Sequence, residues 1–353
     1  MILAVAAIVL GGPAAPGVPA SGSDSAVPIT GAATADAMAV RQVGTTTPAA
    51  SPQGRIRAAF YYPWFPETWG QQPASPFTNY VPSAGSYSSD DLATVRSQIA
   101  EMQYGGITLG IASWFGQGTI TDRHWRSLID AAAGTGFAWA PYFEAEGVSN
   151  PTAEQLADDL HYLLTTYSGR GSALAAIAGA GMLVFVYNAD DTTTAAGCAT
   201  VTRWRQAQEL LASTYGESVF VDLKVFPGYT SCADDPSIGA WHQYGPSSAS
   251  HDFSRAPGGG AFSISPGFWK SGTAYGAAPF LARDAARWAS DVAAMNASPA
   301  RWQLVTTFDE WGEGTAIESS SGCRVAVPAG VLCAWNGGAH SDYLEALHAA
   351  PVP

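Results

Sequence analysis

Apolar runs of five to seven residues alternate with amphipathic stretches along most of the chain, from residue 55 onward. Such alternation is typical of parallel strands that are joined by crossover helices. We expect strands at residues 56–62, 107–113, 137–143, 182–187, 219–225, 240–244, 262–264 and 302–308. We expect helices at residues 89–102, 122–133, 152–166, 201–213 and 280–295, the first opened by a Ser-Asp-Asp cluster suited to an N-cap.

This repeat predicts an α/β fold, a single (β/α)8 TIM-type barrel over residues 55–350. The alternative is an open, doubly wound sheet, but no G-x-G-x-x-G loop follows the first strand. The length of 353 residues fits one large domain or two small ones, and a single barrel-type domain would be ordinary at this length.

The residues before the first strand have a different character. The opening "MILAVAAIVLGG" resembles the apolar core of a secretory signal, without its basic start, and predicts a signal peptide over residues 1–20. Residues 21–54, rich in Ala, Pro, Gly, Ser and Thr, predict a disordered linker. The apolar run is too short to span a bilayer, so we expect a secreted, extracellular protein with no membrane partner in its mature form.

Four cysteines are present without C-x-x-C spacing or paired histidines nearby, which argues against a zinc site. In an exported chain, two disulfides are expected, and we predict nearest-neighbour pairing of Cys198 with Cys232 and Cys323 with Cys333. The alternatives are the two other pairings or free, buried thiols.

The formal net charge is −13 and the chain holds only the lysines Lys224 and Lys270. Such a chain repels phosphate backbones, so we expect no nucleic-acid partner. The 12 Trp and 14 Tyr residues either fill the core or supply flat surfaces on which sugar rings pack.

Chemistry in such barrels sits at the C-terminal ends of the strands. Aromatic and polar side chains recur there, and any one acid at a strand end is explained as a helix cap, as we expect for Asp122, Asp190 and Asp191. Our candidate substrate-binding residues are Tyr62, Trp64, Trp114, Gln117, Tyr142, Glu144, Glu146, Tyr187, Asn188, His242 and Trp311. His242 could equally be a packed structural histidine.

The last predicted strand runs into "TTFDEWGEGTAIES", where Glu310 and Glu313 lie three residues apart. On a strand they would point to opposite faces, but the intervening Trp-Gly and following Gly predict a turn that brings them to one side. Two adjacent carboxyls with separated pKa values suit the cleavage of a glycosidic bond. The alternative is a carboxylate pair that binds a divalent cation. No G-x-S-x-G, H-E-x-x-H or P-loop motif occurs.

The motifs "FYYPWF", "SWFGQG" and "FDEWGEGTAIE" resemble those of glycoside hydrolase family 99, the endo-α-mannosidases and endo-α-mannanases. The last motif is also similar to N-D-Y-G-E-S of family 71, the α-1,3-glucanases. The resemblance spans about residues 56–318 and implies a (β/α)8 barrel, no cofactor and, in family 99, retention of configuration; family 71 implies inversion.

By position, the resemblance to family 99 implies that Glu310 is the base that takes the proton of the sugar 2-OH, and Glu313 the acid that protonates the leaving oxygen. It implies substrate contacts for Glu144 or Glu146, and sugar subsites at Tyr62, Trp64 and Trp114. The chain departs from family 99 at three places. Gly312 stands where a bulkier residue is usual, Asp309 stands where Asn is common, and "YFEAEG" only loosely matches the H-I-E-P-Y pattern.

These observations predict a secreted endo-acting glycoside hydrolase that cleaves an α-linked polysaccharide or glycan, mannan-like first, as a monomer without metal or cofactor. The alternatives are an endo-α-glucanase of the family 71 type, a carbohydrate-binding barrel without catalysis, and a metal-dependent enzyme that uses the acid cluster.

Overall fold

The computed structural model describes residues 54–70, 76–146, 149–169, 173–187, 194–225, 232, 235–272 and 277–353. The predicted signal peptide and all but the last residue of the predicted linker lie outside the described residues, as do Asn188, Asp190 and Asp191. Within the described part of the chain, no helix has both the length and the apolar character needed to cross a bilayer.

The predicted barrel is confirmed. Eight parallel strands form it: β1 Ile56–Tyr61, β2 Leu109–Trp114, β3 Ala138–Phe143, β4 Gly181–Val186, β5 Val219–Lys224, β6 Ala240–His242, β7 Ala261–Ile264 and β8 Trp302–Val305. Their order in the sheet is β6-β5-β4-β3-β2-β1-β8-β7. The end strands β6 and β7 lie side by side without a hydrogen-bonded ladder, so the barrel is nearly closed.

Six α-helices are described: α1 Leu92–Tyr104, α2 Ile120–Ala132, α3 Ala153–Tyr167, α4 Thr194–Tyr215, α5 Ala285–Ala297 and α6 Asp342–His348. The first four follow β1 to β4, α5 follows β7, and α6 follows β8. Among the described residues, no α-helix separates β5 from β6 or β6 from β7.

Local capping sets where the helices begin. The predicted Ser-Asp-Asp cluster lies before α1 rather than in it, because the Asp91 side chain accepts hydrogen bonds from the backbone N–H groups of Ala93 and Thr94. Asp284 caps α5 in the same way, so this helix begins five residues later than predicted. Thr119, and not Asp122, is the N-cap of α2.

Short additional strands, which the sequence did not predict, pair outside the eight-stranded barrel or on its edge. Tyr80–Pro82 pairs antiparallel with Ser320–Cys323, and Ser250–Phe253 pairs antiparallel with β7. The predicted disulfide pairing is confirmed, with Cα–Cα distances of 5.2 Å for Cys198–Cys232 and 5.1 Å for Cys323–Cys333.

A buried cation closes the N-terminal end of the barrel wall. Arg57 in β1 is 1% exposed, and its guanidinium donates five hydrogen bonds at 2.9–3.2 Å. Two acceptors are side-chain oxygens, of Gln303 in β8 and Asn296 in α5. The other three are the carbonyls of Gly105, just after α1, of Leu347 in α6 and of Ala350 after α6. Burial lowers the pKa of Arg57 to about 10.

Candidate active site

The turn after β8 carries the two glutamates. The strand ends at Val305, and residues 311–314 form a turn, closed by a hydrogen bond from the Gly314 N–H to the Trp311 carbonyl at 3.2 Å. Gly314 has a φ of 67°, and a Cβ there would lie 2.8 Å from the Trp269 carbonyl oxygen, so the turn requires glycine. We refer to residues 310–314 as the acidic turn.

Glu310 is fixed by the backbone of the acidic turn. Its carboxyl group accepts hydrogen bonds from the N–H groups of Gly312, at 3.2 Å, and of Glu313. Its own N–H donates to the Thr307 hydroxyl at 2.8 Å. Burial and the charge of Glu313 raise the pKa of Glu310 well above its usual range, whereas Lys270 and the two backbone donors oppose that rise.

Glu313 faces a phenol and an ammonium. Its Oε2 accepts a hydrogen bond from the Tyr244 hydroxyl at 3.1 Å, and its Oε1 lies 3.6 Å from the Lys270 Nζ. Both glutamates are buried, at 4% exposure for Glu310 and 7% for Glu313. The two carboxyls therefore share one water-poor region, in which the charge of Glu313 acts on the ionisation of Glu310.

A third carboxyl, that of Glu144, lies just beyond β3. Burial raises its pKa to about 8, in spite of the opposing effects of Ser113 and Lys224. Glu144 therefore holds a proton at neutral pH and can donate a hydrogen bond. The Glu313 charge contributes to the same rise, which places the two residues within electrostatic reach of one another.

Aromatic rings from four strands surround these acids. Tyr62 and Trp64 pack on each other, with ring centroids 4.6 Å apart, and Tyr244 lies 6.5 Å from Tyr62. Tyr187 contacts Tyr142 at 5.6 Å, and its ring lies 3.9 Å from the Lys224 ammonium. The structure thus brings together five predicted residues with the Glu pair: Tyr62, Trp64, Tyr142, Glu144 and Tyr187.

His242 belongs to a buried row of polar groups inside the barrel. Its Nδ1 lies 2.8 Å from an Asp222 carboxyl oxygen and its Nε2 lies 3.4 Å from the Tyr142 hydroxyl. His242 and Asp222 are both 0% exposed. The histidine therefore helps to orient the Tyr142 hydroxyl from inside the barrel.

The side chains of four predicted substrate-binding residues make contacts other than with the Glu pair. Trp114 is 0% exposed and packs outside the barrel against Phe143 and Tyr162 of α3, because side chains alternate along β2 and this one points to the helices. Its indole N–H donates to Asp122 at 3.0 Å. Gln117 donates to Asp159 of α3 at 2.8 Å.

Glu146 and Trp311 are the other two. The Glu146 carboxyl pairs with Arg203 and accepts the Trp204 indole N–H at 2.8 Å, which ties the loop after β3 to α4. Trp311 is 0% exposed, and its indole N–H lies 3.1 Å from a Glu318 carboxyl oxygen.

The departures at Gly312 and Asp309 have physical reasons. A Cβ on Gly312 would lie 2.8 Å from the Phe77 ring, so this ring fills the space of a larger residue. Asp309 accepts the Tyr62 N–H at 2.8 Å, and burial raises its pKa well above its usual range. Burial thus favours the neutral form of Asp309, the charge state that an asparagine has at every pH.

The sequence interpretation missed Lys270, Tyr244, Lys224 and Asp222. The scarcity of lysine was the available signal, because both lysines of the chain follow or end predicted strands. No set of three or more His, Cys, Asp or Glu side chains within the described residues is placed to hold a metal ion.

No protein-family model and no curated protein matches the chain. Two similar solved structures are of the family 99 endo-α-mannosidase of Bacteroides thetaiotaomicron, one in complex with bis-tris propane. The complex has a TM-score of 0.65 and 18% sequence identity, and the alignment covers 84% of this chain and 96% of the mannosidase chain. The other structure has a TM-score of 0.62 and 17% identity, and the alignment covers 83% of this chain and 95% of the mannosidase chain. A glycoside hydrolase-like protein has a TM-score of 0.55 at 12% identity, with 86% and 96% covered.

These similarities define the class of fold: the chain is a (β/α)8 barrel like those of the matched structures, with acids and aromatic rings at the C-terminal ends of its strands. The particular fold is that of the family 99 structures, as the motifs predicted, and at these identities the likeness establishes the fold alone.

Proposed function

We propose that this chain is an endo-acting glycoside hydrolase that cleaves an α-linked polysaccharide or glycan. A mannan-like polymer is the first candidate substrate. The observation that carries the proposal is the buried Glu310 and Glu313 pair on the acidic turn, at the end of β8 in a family 99 fold. Adjacent buried carboxyls ionise in two separate steps, and glycosidic cleavage needs one carboxylate and one carboxylic acid together.

Glu310 is the base of the proposed reaction and Glu313 the acid. Glu310 takes the proton of the sugar 2-OH while that oxygen bonds to the anomeric carbon, and Glu313 gives its proton to the departing glycosidic oxygen. Water then adds to the anomeric carbon as the bond between that carbon and the 2-oxygen breaks; one water proton passes to Glu313, and Glu310 returns its proton to the 2-oxygen. The backbone donors of Gly312 and Glu313 hold Glu310 in place for both steps.

Substrate binding is assigned to the aromatic rings and to Glu144. The packed pair Tyr62 and Trp64 and the ring of Tyr187 offer apolar surface for the C–H faces of sugar rings. Protonated Glu144 offers a hydrogen bond to a sugar oxygen. Since the chain carries a net charge of −13, a neutral polymer approaches it more easily than a phosphorylated one.

Secretion and a monomeric state remain part of the proposal. The two disulfides support secretion, because such bonds persist in oxidising compartments.

The test is product analysis after incubation with α-mannans, α-glucans and arabinan-type polymers. We expect oligosaccharides from one polymer, and a loss of about 10³-fold or more in turnover for Glu313→Gln and Glu310→Gln. Glu209→Gln is the matched control, because its side chain is 64% exposed on α4. Products from α-1,3-glucan alone would indicate the family 71 specificity.

Two results would contradict the proposal. Binding of a polymer without any product, in the wild type, would indicate a carbohydrate-binding barrel. Activity that is abolished by a chelator and restored by a divalent cation would indicate a metal-dependent enzyme.

A further inference from the structure

The residues that follow β7 are docked on the acidic turn by their backbone. The Trp269 N–H donates to the Glu313 carbonyl at 2.8 Å, and the Ser271 N–H donates to the Gly312 carbonyl at 2.9 Å. Lys270 lies between these two donors. Its Cα is therefore held on both sides by bonds to the turn that carries Glu313.

A second contact fixes the other side of the acidic turn. Arg283 donates to the carbonyls of Gly314 and Ala316 at 2.9 and 2.8 Å, and its guanidinium lies 3.7 Å from the Trp335 ring centroid. The acidic turn is thus held by residues that directly follow β7 and by Arg283, which lies just before α5. Lys270 cannot move away from Glu313 by a shift of the turn alone.

The Lys270 ammonium and the Glu313 carboxyl meet with little water around them. Their Nζ and Oε1 atoms are 3.6 Å apart, and the side chains are 12% and 9% exposed. Among the described residues, no other Lys, Arg or His nitrogen lies within 4 Å of the Glu313 or Glu310 carboxyl. An ion pair in such surroundings is far stronger than one in water.

The remaining titratable groups that face the pair are acids or phenols. They lie at the ends of β1, β3, β6 and β8, and Lys224 lies against Tyr187 and acts on Glu144. These groups are Tyr62, Tyr142, Glu144, Tyr244 and Asp309. None of them supplies a positive charge to Glu310 or Glu313.

We propose that Lys270 is the counter-ion that keeps one of the Glu310 and Glu313 carboxyls ionised in the free protein. Without a cation, two adjacent buried carboxyls retain both protons to a higher pH, so a smaller fraction of the protein carries the carboxylate that acts as a base. The catalytic meaning of this role rests on the proposed glycoside hydrolase function. The charge role itself is a property of the free protein.

The test is a carboxyl titration of the free protein by NMR, with ¹³C-labelled glutamate and assignments from Glu310→Gln and Glu313→Gln. In Lys270→Met we expect the first ionisation of the pair to move up by about one to three pH units. In Lys270→Arg, which keeps the charge, we expect about the wild-type titration. A Lys270→Met titration that overlies the wild type would overturn the proposal.

A rescue experiment separates charge from packing and does not depend on the methionine variant folding. All four cysteines are in disulfides, so Lys270→Cys provides a single unpaired thiol. Alkylation with 2-bromoethylamine restores an ammonium group, whereas iodoacetamide adds a neutral amide. We expect only the ammonium adduct to restore the wild-type titration, and identical titrations of the two adducts would refute the counter-ion role.

Activity then distinguishes this proposal from the function on which it rests. On a polymer that the wild type cleaves, the midpoint pH of the acid limb of the pH–rate profile should be higher in Lys270→Met. The increase should equal the shift that the carboxyl titration shows. An unchanged limb would overturn the counter-ion role while the hydrolase function stands. A shifted titration in a protein that cleaves no polymer would support the counter-ion role while the hydrolase function fails.

Discussion

Arg57→Met is the substitution for which the structure gives the clearest expected loss of stability. Methionine keeps an apolar stem of similar length but has no donor. All five acceptors of the guanidinium would lose this donor. The Leu347 carbonyl, the Asn296 Oδ1 and the Ala350 carbonyl each keep a second donor, from the Ala350 N–H and the side chains of Gln303 and Asn296 respectively. Buried acceptors that are left without a donor are costly.

The size of the effect follows from these bonds and from the cost of burying the charge. Hydrogen bonds to charged groups contribute about 1.5 kcal/mol each at the lower end of their range, so five contribute about 7 kcal/mol. The pKa of Arg57 is lowered from 12.5 to about 10, which corresponds to a burial cost of about 3 kcal/mol. We therefore expect a net loss of about 4 kcal/mol in the free energy of unfolding.

Urea and thermal unfolding, followed by circular dichroism, measure this loss. With an unfolding entropy of about 2.1 cal/mol/K per residue over about 300 folded residues, it corresponds to a fall in Tm of about 6 °C. Arg55→Met is the matched control, because the Arg55 side chain is half-buried and donates one hydrogen bond, to the Asn296 carbonyl. A loss for Arg57→Met no larger than that for Arg55→Met would refute the reasoning.

Two further predictions concern Trp114 and Glu144. Trp114→Ala should cost about 3–5 kcal/mol of stability, seen as a lower Tm, because the ring is fully buried, and a weaker affinity for oligosaccharide at unchanged Tm would contradict this. Since the pKa of Glu144 is about 8 in the folded chain and 4.5 in the reference state, its contribution to stability is complete below pH 4.5 and is lost as the pH rises through 8. The free energy of unfolding, measured in urea, should therefore fall less between pH 5 and pH 8 in Glu144→Gln than in the wild type, and parallel pH profiles would count against the raised pKa.

The sequence predicts the barrel well because each of its strands is an apolar run between polar segments. The strands Tyr80–Pro82 and Ser320–Cys323 escape prediction because they are short, lack a periodic pattern and pair over a long sequence separation. The start of α5 was predicted too early because residues 280–282 are apolar, and only the cap at Asp284 shows where the helix begins.

The acidic turn could be predicted because its residues are contiguous, whereas its surroundings could not. Lys270 reaches Glu313 only because the Trp269 and Ser271 N–H groups bond to the turn, and no local pattern encodes that pairing. Trp114 shows the opposite error. Its position at a strand end suggested the rim, but the alternation along β2 directs it to the helices.

The positions of the two lysines also determine how the protein responds to chemical labelling. Lys224 is 2% exposed and the Lys270 side chain 12%, and the chain contains no other lysine. Amine-directed esters and aldehydes therefore find no exposed lysine on the outer surface, and any lysine that they modify belongs to the candidate active site. Attachment to a solid support is better made through the acidic side chains, of which the chain has 29.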